Sequence, residues 1–426
     1  MNEELLNYIW QNKLIDLKKL LINFSGEKVV IIDAGTRNLD SGPDFFNARI
    51  KIGNTIWAGN VEVHVRSSDW TLHNHQNDDA YDNIILHIVY QDDSPVYRKK
   101  GEKIPTIELK NRFNPQILST YKSFLESSNW IPCDQQIARI DSFTQFAWLD
   151  SLCIERLELK AKGISYDLKN TNQDFLEILY RQLGRSFGFN TNADAFELLT
   201  KSLPFSLLAK HINRIDQLEA LLYGQAGMLN KSFRDIYPKT LAKEYTFLAK
   251  KYDLCPVESK IWKYLRMRPS NFPTIRISQF ANLLQSTSGL LTNILEHNRL
   301  NDVKTLFNVH ANSYWRNHSN FDKVSKDKST LLGKNSIDLI LINTIIPFTF
   351  IYGKVFKLDE IQDKSLSWYE QIKPEKNHIT SKFSSFGLKI ENAKQSQAVI
   401  QLKKNYCDKK RCLSCRFGHW LISGNL

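Results

Sequence analysis

Three side chains with the types and spacing of a reactive site lie in SGPDFFNARIKIGNTIWAGNVEVHV, residues 41–65. Asp44 precedes one apolar stretch, and Glu62 and His64 lie two residues apart in the next, beyond the turn signal Gly53-Asn54. Apolar stretches on both sides of Gly-Asn predict a β-hairpin. Because side chains alternate along a strand, Glu62 and His64 should share one face.

The length of the hairpin loop decides whether Asp44 also faces Glu62. A three-residue loop centred on Gly53 pairs positions whose numbers sum to 106, which sets Asp44 opposite Glu62. A two-residue loop changes that sum to 107 and turns Asp44 away, unless a bulge after Pro43 corrects it. The alternative to a site is a surface hairpin with a polar face.

Two carboxylates at one point repel each other and raise a pKa unless a cation lies between them. Mg²⁺ and Mn²⁺ prefer such oxygen ligands and can hold a phosphate and a water together. A basic group two residues beyond Glu62 could orient that water or stabilise charge at phosphorus. We therefore predict Asp44, Glu62 and His64 as catalytic residues, with Asp44 and Glu62 binding the metal.

Gly-Pro-Asp, a hairpin and Glu-x-His, preceded by a helix with acidic residues, resemble the PD-(D/E)XK nuclease superfamily. The resemblance implies a small α/β core with Asp and Glu-x-Lys on adjacent strands, a catalytic Mg²⁺ or Mn²⁺, and nucleic acid as the substrate. Asp44 and Glu62 would be the ligands, and Glu3 or Glu4 would supply an extra acid. In this chain His64 replaces the lysine, so the charge at that position depends on pH.

Four of the ten histidines lie within 24 residues, from His64 through His73 and His75 to His87. Nitrogen ligands beside a carboxylate are typical of zinc hydrolases. His73, His75 and Arg66 could instead contact phosphate near a nuclease site, and ordinary hydrogen-bonded histidines are the third interpretation. A zinc-dependent hydrolase and an inactive nucleic-acid-binding or scaffold protein are the alternatives to a nuclease.

Three arginines, Arg266, Arg268 and Arg276, lie among prolines in RMRPSNFPTIR. Rigid turns that display guanidinium groups suit phosphate contacts, and ion pairs with acids on neighbouring helices are the alternative. The net charge of +12 also favours a polyanionic partner, whereas residues 1–110 have 13 basic and 16 acidic side chains. We expect nucleic acid as the partner.

Three of the six cysteines lie in YCDKKRCLSC with the spacing C-x4-C-x2-C, which brings three thiolates to one centre. The predicted ligands are Cys407, Cys412 and Cys415, with Cys133 as the fourth; Cys153, Cys255 and His419 are alternatives to Cys133. A zinc ion or an iron–sulfur cluster fits this set, and free reduced thiols are the alternative. Six irregularly spaced cysteines do not form a secreted disulfide framework.

The remaining sequence predicts a mixed α+β protein. A small α/β nuclease-like domain with a mixed sheet should occupy residues 1–125, an all-α domain 130–355, and a basic segment with the cysteine cluster 356–426. The apolar run 336–353 contains Asp338, Asn343 and Pro347, so we expect a buried helix and no membrane span. The N-terminus lacks the order of a secretory signal, and we expect a cytoplasmic protein.

Six motifs along the chain also resemble a bacterial family of uncharacterised proteins, domain of unknown function 2851. They are GPDFFNARI, GNVEVHVRSSDW, HNHQNDDAYDNIILHIVY, EALLYGQAG, RMRPSNFPTIR and YCDKKRCLSC. This resemblance spans nearly all 426 residues and implies no established activity.

Overall fold

A computed structural model describes residues 1–286 and 289–424. It has a mixed sheet in the N-terminal region followed by a large helical region, which confirms the predicted α+β class. The chain forms two compact units. The first contains residues 1–148, 385–388 and those from Leu402 onward, and the second contains 149–384 and 389–401. The predicted segments 1–125, 130–355 and 356–426 stay predictions.

The first unit is built on a six-stranded sheet. Its strands are β1 (Val29–Asp33), β2 (Thr36–Arg37), β3 (Phe45–Ile52), β4 (Thr55–Arg66), β5 (Ile84–Gln91) and β6 (Thr106–Glu108). The order is β1-β3-β4-β5-β6, and β2 pairs with β3. Pairs that involve β3 are antiparallel, whereas β4, β5 and β6 run parallel. The predicted mixed sheet is therefore present.

A two-residue turn joins β3 and β4, and a bulge corrects its register. Near the turn Ile52 pairs with Thr55, so paired numbers sum to 107; beyond the bulge Phe45 pairs with Val61, which gives 106. Asn47 at the bulge has a φ of 57°, a left-handed conformation that asparagine tolerates better than most residues. The loop is shorter than three residues, and Asp44 nevertheless faces β4.

Three helices pack near this sheet: α1 (Glu3–Gln11), α2 (Asp69–Leu72) and α3 (Pro115–Glu126). The side chain of Asn2 caps α1 by accepting from the N–H of Leu5, and both glutamates of its first turn suit the positive end of the helix. The apolar face of α1 is fully buried and packs against β4. Glu3 is therefore held close to the sheet.

The crossover from β4 to β5 carries the histidine-rich sequence. Residues 67–83 contain α2 and two single 3-10 turns, His75–Asn77 and Asp79–Tyr81. Trp70 and Tyr81 anchor the crossover in a small apolar cluster with Ile84. Since β5 runs parallel to β4, the crossover returns along the sheet and brings its histidines beside His64.

The second unit is predominantly helical. Its helices are α4 (Ser142–Asn170, which begins in the first unit), α5 (Phe175–Phe187), α6 (Phe189–Ser202), α7 (Phe205–Leu208), α8 (Ile215–Gln225), α9 (Ile236–Tyr252), α10 (Pro273–Ser286), α11 (Leu290–Glu296), α12 (Leu300–Thr305), α13 (Lys334–Ile340), α14 (Ile346–Phe356), α15 (Asp359–Gln371), α16 (His378–Ser385) and α17 (Ala393–Leu402). A small hairpin joins β7 (His318–Asn320) to β8 (Lys323–Val324). The last helix of the chain, α18 (Arg416–Ser423), belongs to the first unit.

The apolar run near residue 340 is helical throughout. From α13 to α14, Lys334–Phe356 has the length and composition of a membrane span. Within its most apolar window 67% is buried inside the structure, as in the core helix of a soluble protein. The expectation of a buried helix agrees with this placement.

Candidate metal centre

The structure brings Asp44 and Glu62 together in a reciprocal arrangement. The backbone N–H of Asp44 donates to Glu62 Oε2 at 3.0 Å, and the N–H of Val63 donates to Asp44 Oδ2 at 3.2 Å. On the other side, Asn7 of α1 donates its amide to Asp44 Oδ1 at 3.2 Å. Both carboxylates therefore have fixed positions, which suits groups that must hold a ligand.

Opposite charge compensates these two carboxylates only in part. Burial and, second to it, the charge of Asp44 raise the pKa of Glu62 to about 9. Burial also raises the pKa of Asp44, against the opposing effects of hydrogen bonds and of nearby Arg37. Glu62 is only 5% exposed, and without a cation its carboxyl keeps a proton at neutral pH. A bound cation would reverse that preference, because it favours the ionised carboxylates.

Two histidines lie against Glu62, and a third lies against His64. Its Oε1 is 3.5 Å from His64 Nε2 and 3.6 Å from His75 Nε2. His73 Nδ1 is 3.2 Å from His64 Nε2. One ring nitrogen from each of the three histidines lies within 4.8 Å of the other two.

These separations fit one transition-metal ion. A zinc ion holds nitrogen ligands at about 2.0–2.1 Å in tetrahedral geometry, which leaves about 3.4 Å between neighbouring ligand atoms. Glu62 Oε1 lies near that distance from His64 and from His75, and His73 lies near it from His64. The ligand atoms that all lie within 4.8 Å of one another are those of the three histidines, without Glu62. A set of three imidazoles and a carboxylate is also the donor chemistry that Zn²⁺ accepts.

The buried imidazoles are in the protonation state that metal binding needs. Burial and, second to it, the neighbouring histidines lower the pKa of His64 to about 2 and that of His75 to about 4. Both rings are therefore neutral at physiological pH, and each keeps a nitrogen lone pair. Neutral imidazole is the form that binds a metal ion.

His87 on β5 forms a hydrogen bond with one of these histidines, His64. Its Nε2 lies 2.9 Å from His64 Nδ1, and its ring is fully buried. If His64 Nε2 faces a metal, its Nδ1–H must donate to His87 Nε2, which fixes the tautomer of His64. His87 Nδ1 has no hydrogen-bond partner among the described residues, so this buried ring is held mainly by the bond to His64 and by packing against Trp70.

Aromatic rings hold His75 in place. Tyr81 stacks on His75 with ring centroids 3.8 Å apart, and Trp70 meets it edge-on at 5.4 Å. His75 is therefore confined although its crossover has little regular structure. His73, by contrast, is exposed at the mouth of the centre.

Three residues at the centre were missed by sequence reasoning. Asn7 follows Glu3 by one helical turn, a spacing that could have revealed it. Arg37 lies in the two-residue strand β2 and Tyr81 in a 3-10 turn, where no periodic pattern marks them. Of the two predicted helix acids, Glu3 lies near this centre, where burial and the charge of Asp44 raise its pKa.

The predicted phosphate-binding arginines are distributed over both units. Arg66 is exposed at the end of β4, on the strand face of Glu62 and His64. Arg266 and Arg268 are exposed in the second unit. Arg276 is 4% exposed and donates to Gln279, Asn271 and Ser336 through its guanidinium group, so its place is structural and it offers phosphate no surface.

Four of the six cysteines lie in the first unit: Cys133, Cys407, Cys412 and Cys415. Cys153 and Cys255, two alternatives for the fourth ligand, belong to the second unit. His419, the other alternative, bonds through Nδ1 to the hydroxyl of Tyr8 at 2.7 Å. The predicted set of four cysteines is thus found within one compact unit.

Fold and site together define a mixed α+β protein with a candidate histidine–carboxylate metal centre on its sheet. The chain belongs to the family described as protein of unknown function (DUF2851), which it matches over residues 3–378. The match includes every residue of the candidate metal centre and ends before the three C-terminal cysteines. No curated protein and no solved structure matches the chain. The predicted likeness to the nuclease superfamily stays a prediction.

Proposed function

We propose that this protein is a metal-dependent hydrolase that cleaves phosphodiester bonds in nucleic acid. The observation that carries the proposal is the approach of Glu62 to His64 and His75 at 3.5 and 3.6 Å, with Asp44 bonded to the same strand. Neutral imidazoles beside buried carboxylates form a set that a divalent cation would complete.

The donor set favours Zn²⁺ or Mn²⁺ over Mg²⁺. Mg²⁺ keeps oxygen ligands and several waters, whereas three imidazoles suit a transition metal. His64, His73, His75 and Glu62 would hold the ion. When bound, the ion would supply Lewis acidity and a water of lowered pKa.

The residues of the chain have separate tasks in this proposal. His87 orients His64, and the N–H of Asp44 holds one oxygen of Glu62 so that the other points toward the histidines. Asp44 is the group placed to accept a proton beside the centre, since its carboxylate is partly exposed and fixed by two donors.

Two cationic groups support a phosphodiester substrate. Arg37 lies close enough to Asp44 to lower its pKa, and its Nε has no hydrogen-bond partner among the described residues. Arg66 is exposed on the same strand as Glu62. Guanidinium groups bind phosphate oxygens, and the net charge of +12 favours a polyanion.

The test is a cleavage panel of linear and circular DNA, single strands and structured RNA. Each substrate is incubated with protein freed of metal and then supplied with Zn²⁺, Mn²⁺, Mg²⁺ or none. The parent is compared with His73→Ala, which removes an exposed ligand and should leave the fold intact. The matched control is His297→Ala in the second unit. Metal-dependent cleavage by the parent and control, at least ~100-fold weaker in His73→Ala, supports the proposal.

A second candidate function is nucleic-acid binding without turnover. It is favoured by burial, because Glu62 and His64 are only 5% and 2% exposed and a substrate would reach the ion mainly past His73. Salt-sensitive binding with no cleavage at any metal would support this candidate and contradict the hydrolase. Cleavage that persists unchanged in His73→Ala would contradict a catalytic role of this centre.

A further inference from the structure

The first unit contains a second group of metal-binding side chains, unrelated to the hydrolase proposal. Cys133 follows α3, whereas the other three cysteines come some 270 residues later in the chain. Cys407 has the other three thiols as electrostatic neighbours, and Cys133 has Cys415 and Cys412. Cys412 and Cys415 are 8% and 7% exposed, and all four thiols are free of disulfides.

The backbone around these cysteines is shaped to bring them together. A π-helical turn, Lys403–Cys407, ends at the first of them, and a 3-10 turn, Cys412–Ser414, begins at the second. Lys410 between them takes a left-handed φ of 49°. Gly418 in α18 packs so closely that an added Cβ would lie 2.1 Å from the carbonyl oxygen of Cys412. Only glycine permits this approach of helix and loop.

Burial raises the pKa of Cys415, and several neighbouring groups act in the opposite direction. Cys415 is the N-cap of α18, and the backbone N–H groups of Phe417 and Gly418 point to its sulfur. The indole of Trp148 lies beside the same sulfur. Helix N-termini and N–H donors stabilise thiolates. Cations near Cys407 and Cys412 act in the same direction, namely Lys403 and Lys410.

Without a metal this arrangement is unfavourable. Burial and the neighbouring thiols raise the pKa of Cys133 and Cys407, and Cys133 packs against the core cluster that contains Cys412. Metal ions would bind all four thiolates and satisfy the donors at once. Such a centre would also join the C-terminal segment to the N-terminal part of the same unit.

We propose that Cys133, Cys407, Cys412 and Cys415 hold an iron–sulfur cluster. A single zinc ion, with Zn–S of about 2.3 Å, would draw all four sulfurs to within about 3.8 Å of one another. Among the described residues no three cysteine sulfurs lie within 4.8 Å of one another. The sulfurs are therefore farther apart than the ligands of a single zinc ion. An iron–sulfur cluster distributes its cysteines over two or more irons, and the spacing C-x4-C-x2-C is one that such clusters use.

The experiment measures iron, acid-labile sulfide, zinc and the visible spectrum of the full chain purified without oxygen. We expect ~2 to 4 irons with a similar amount of sulfide per chain, and visible absorbance that is lost together with the iron. Cys407→Ser and Cys133→Ser should each remove most of the iron, whereas Cys255→Ser, at an exposed cysteine of the second unit, should retain it.

Zinc without sulfide, or iron that survives in Cys407→Ser and Cys133→Ser, would overturn the proposal. The metal and sulfide content of the unmodified chain decides the matter even if the variants fail to fold. His73→Ala should keep its full iron content, so a failure of the hydrolase proposal and a failure of the cluster proposal give different results.

Discussion

The two candidate centres of the first unit share one support, helix α1. Its residues Glu3 and Asn7, one turn apart, face the histidine–carboxylate centre. Glu4 and Tyr8, also one turn apart, face the other way, toward Cys412 and His419 of the C-terminal segment. One nine-residue helix thus presents two polar faces to two different sets of ligands.

The centres differ in donor atoms and in access. The first combines nitrogen and oxygen donors with an exposed ligand, His73, and a partly exposed carboxylate, Asp44. The second offers sulfur alone, surrounded by N–H donors. Mixed donors with an open side are typical of catalytic metals, whereas closed sulfur sets are typical of structural sites and clusters. The comparison predicts that each centre can be removed without removing the other.

The largest effect is expected from Glu62→Ala. Loss of this carboxylate leaves the histidines without their oxygen partner, and we expect metal-dependent cleavage to fall at least ~100-fold. Iron and sulfide content should stay unchanged. The cleavage rate and the metal content are measured on the same preparation. Loss of both cleavage and iron would contradict the independence of the two centres.

His87→Ala should have the next largest effect. The residue touches no candidate substrate and acts by orienting His64, so we expect the affinity of the centre for Zn²⁺ to fall ~10- to 100-fold. His87→Gln, which can keep an acceptor near His64 Nδ1, should recover part of that loss. Competition with a chelator of known affinity provides the measurement, and equal losses in both variants would indicate a packing role only.

Gly418→Ala tests the opposite centre. The new methyl group would meet the backbone of Cys412, and we expect a loss of ~1 to 3 kcal/mol in the stability of the C-terminal segment. Hydrogen exchange of residues 402–424 should increase and iron should be lost more readily. Zn²⁺ affinity at the histidines should not change, and protection equal to that of the parent would rule out the close packing described here.

The smallest effect concerns pH. The folded-state pKa of Glu62 is about 9, above its ordinary 4.5, so its contribution to stability is complete below 4.5 and is lost as pH rises toward 9. Chelator-treated protein should therefore become less stable from pH 7 to 8.5, by at most ~1.4 kcal/mol per pH unit. Burial lowers the pKa of His64, His75 and His87, and their contribution is lost only below pH 6.5.

The test is to measure the unfolding temperature of the parent and of Glu62→Gln over that pH range. The glutamine cannot ionise, so its unfolding temperature should depend less on pH than that of the parent. Added Zn²⁺ should also flatten the slope of the parent, since a bound cation favours ionised Glu62. Parallel slopes in the two proteins would show that Glu62 ionises normally.

Part of this structure could be predicted from local sequence. Gly53-Asn54 between apolar stretches was enough to predict the β3–β4 hairpin, because that turn is determined by neighbouring residues. The register beyond the turn could not be predicted, because it depends on a bulge at Asn47 and no sequence motif indicates that bulge. The approach of Asp44 to Glu62 was therefore predicted only as one of two alternatives.

Long-range contacts were harder to predict. The spacing of Cys407, Cys412 and Cys415 indicated a shared centre. Cys133 was predicted as the fourth ligand, with Cys153, Cys255 and His419 as the alternatives. The structure places Cys133 in the same unit and Cys153 and Cys255 elsewhere. Arg276 was predicted from its charge and its neighbouring prolines, whereas its burial depends on tertiary packing that a single sequence does not reveal.

The division of the chain has a consequence for biosynthesis. The first unit begins with residue 1 and is completed by residues from Leu402 onward. At ~5 to 20 residues per second, a ribosome that has made Trp148 needs about 13 to 50 s more to reach Leu402. During that interval the nascent first unit lacks its last helix and three of its four clustered cysteines, and the second unit is complete only shortly before the first.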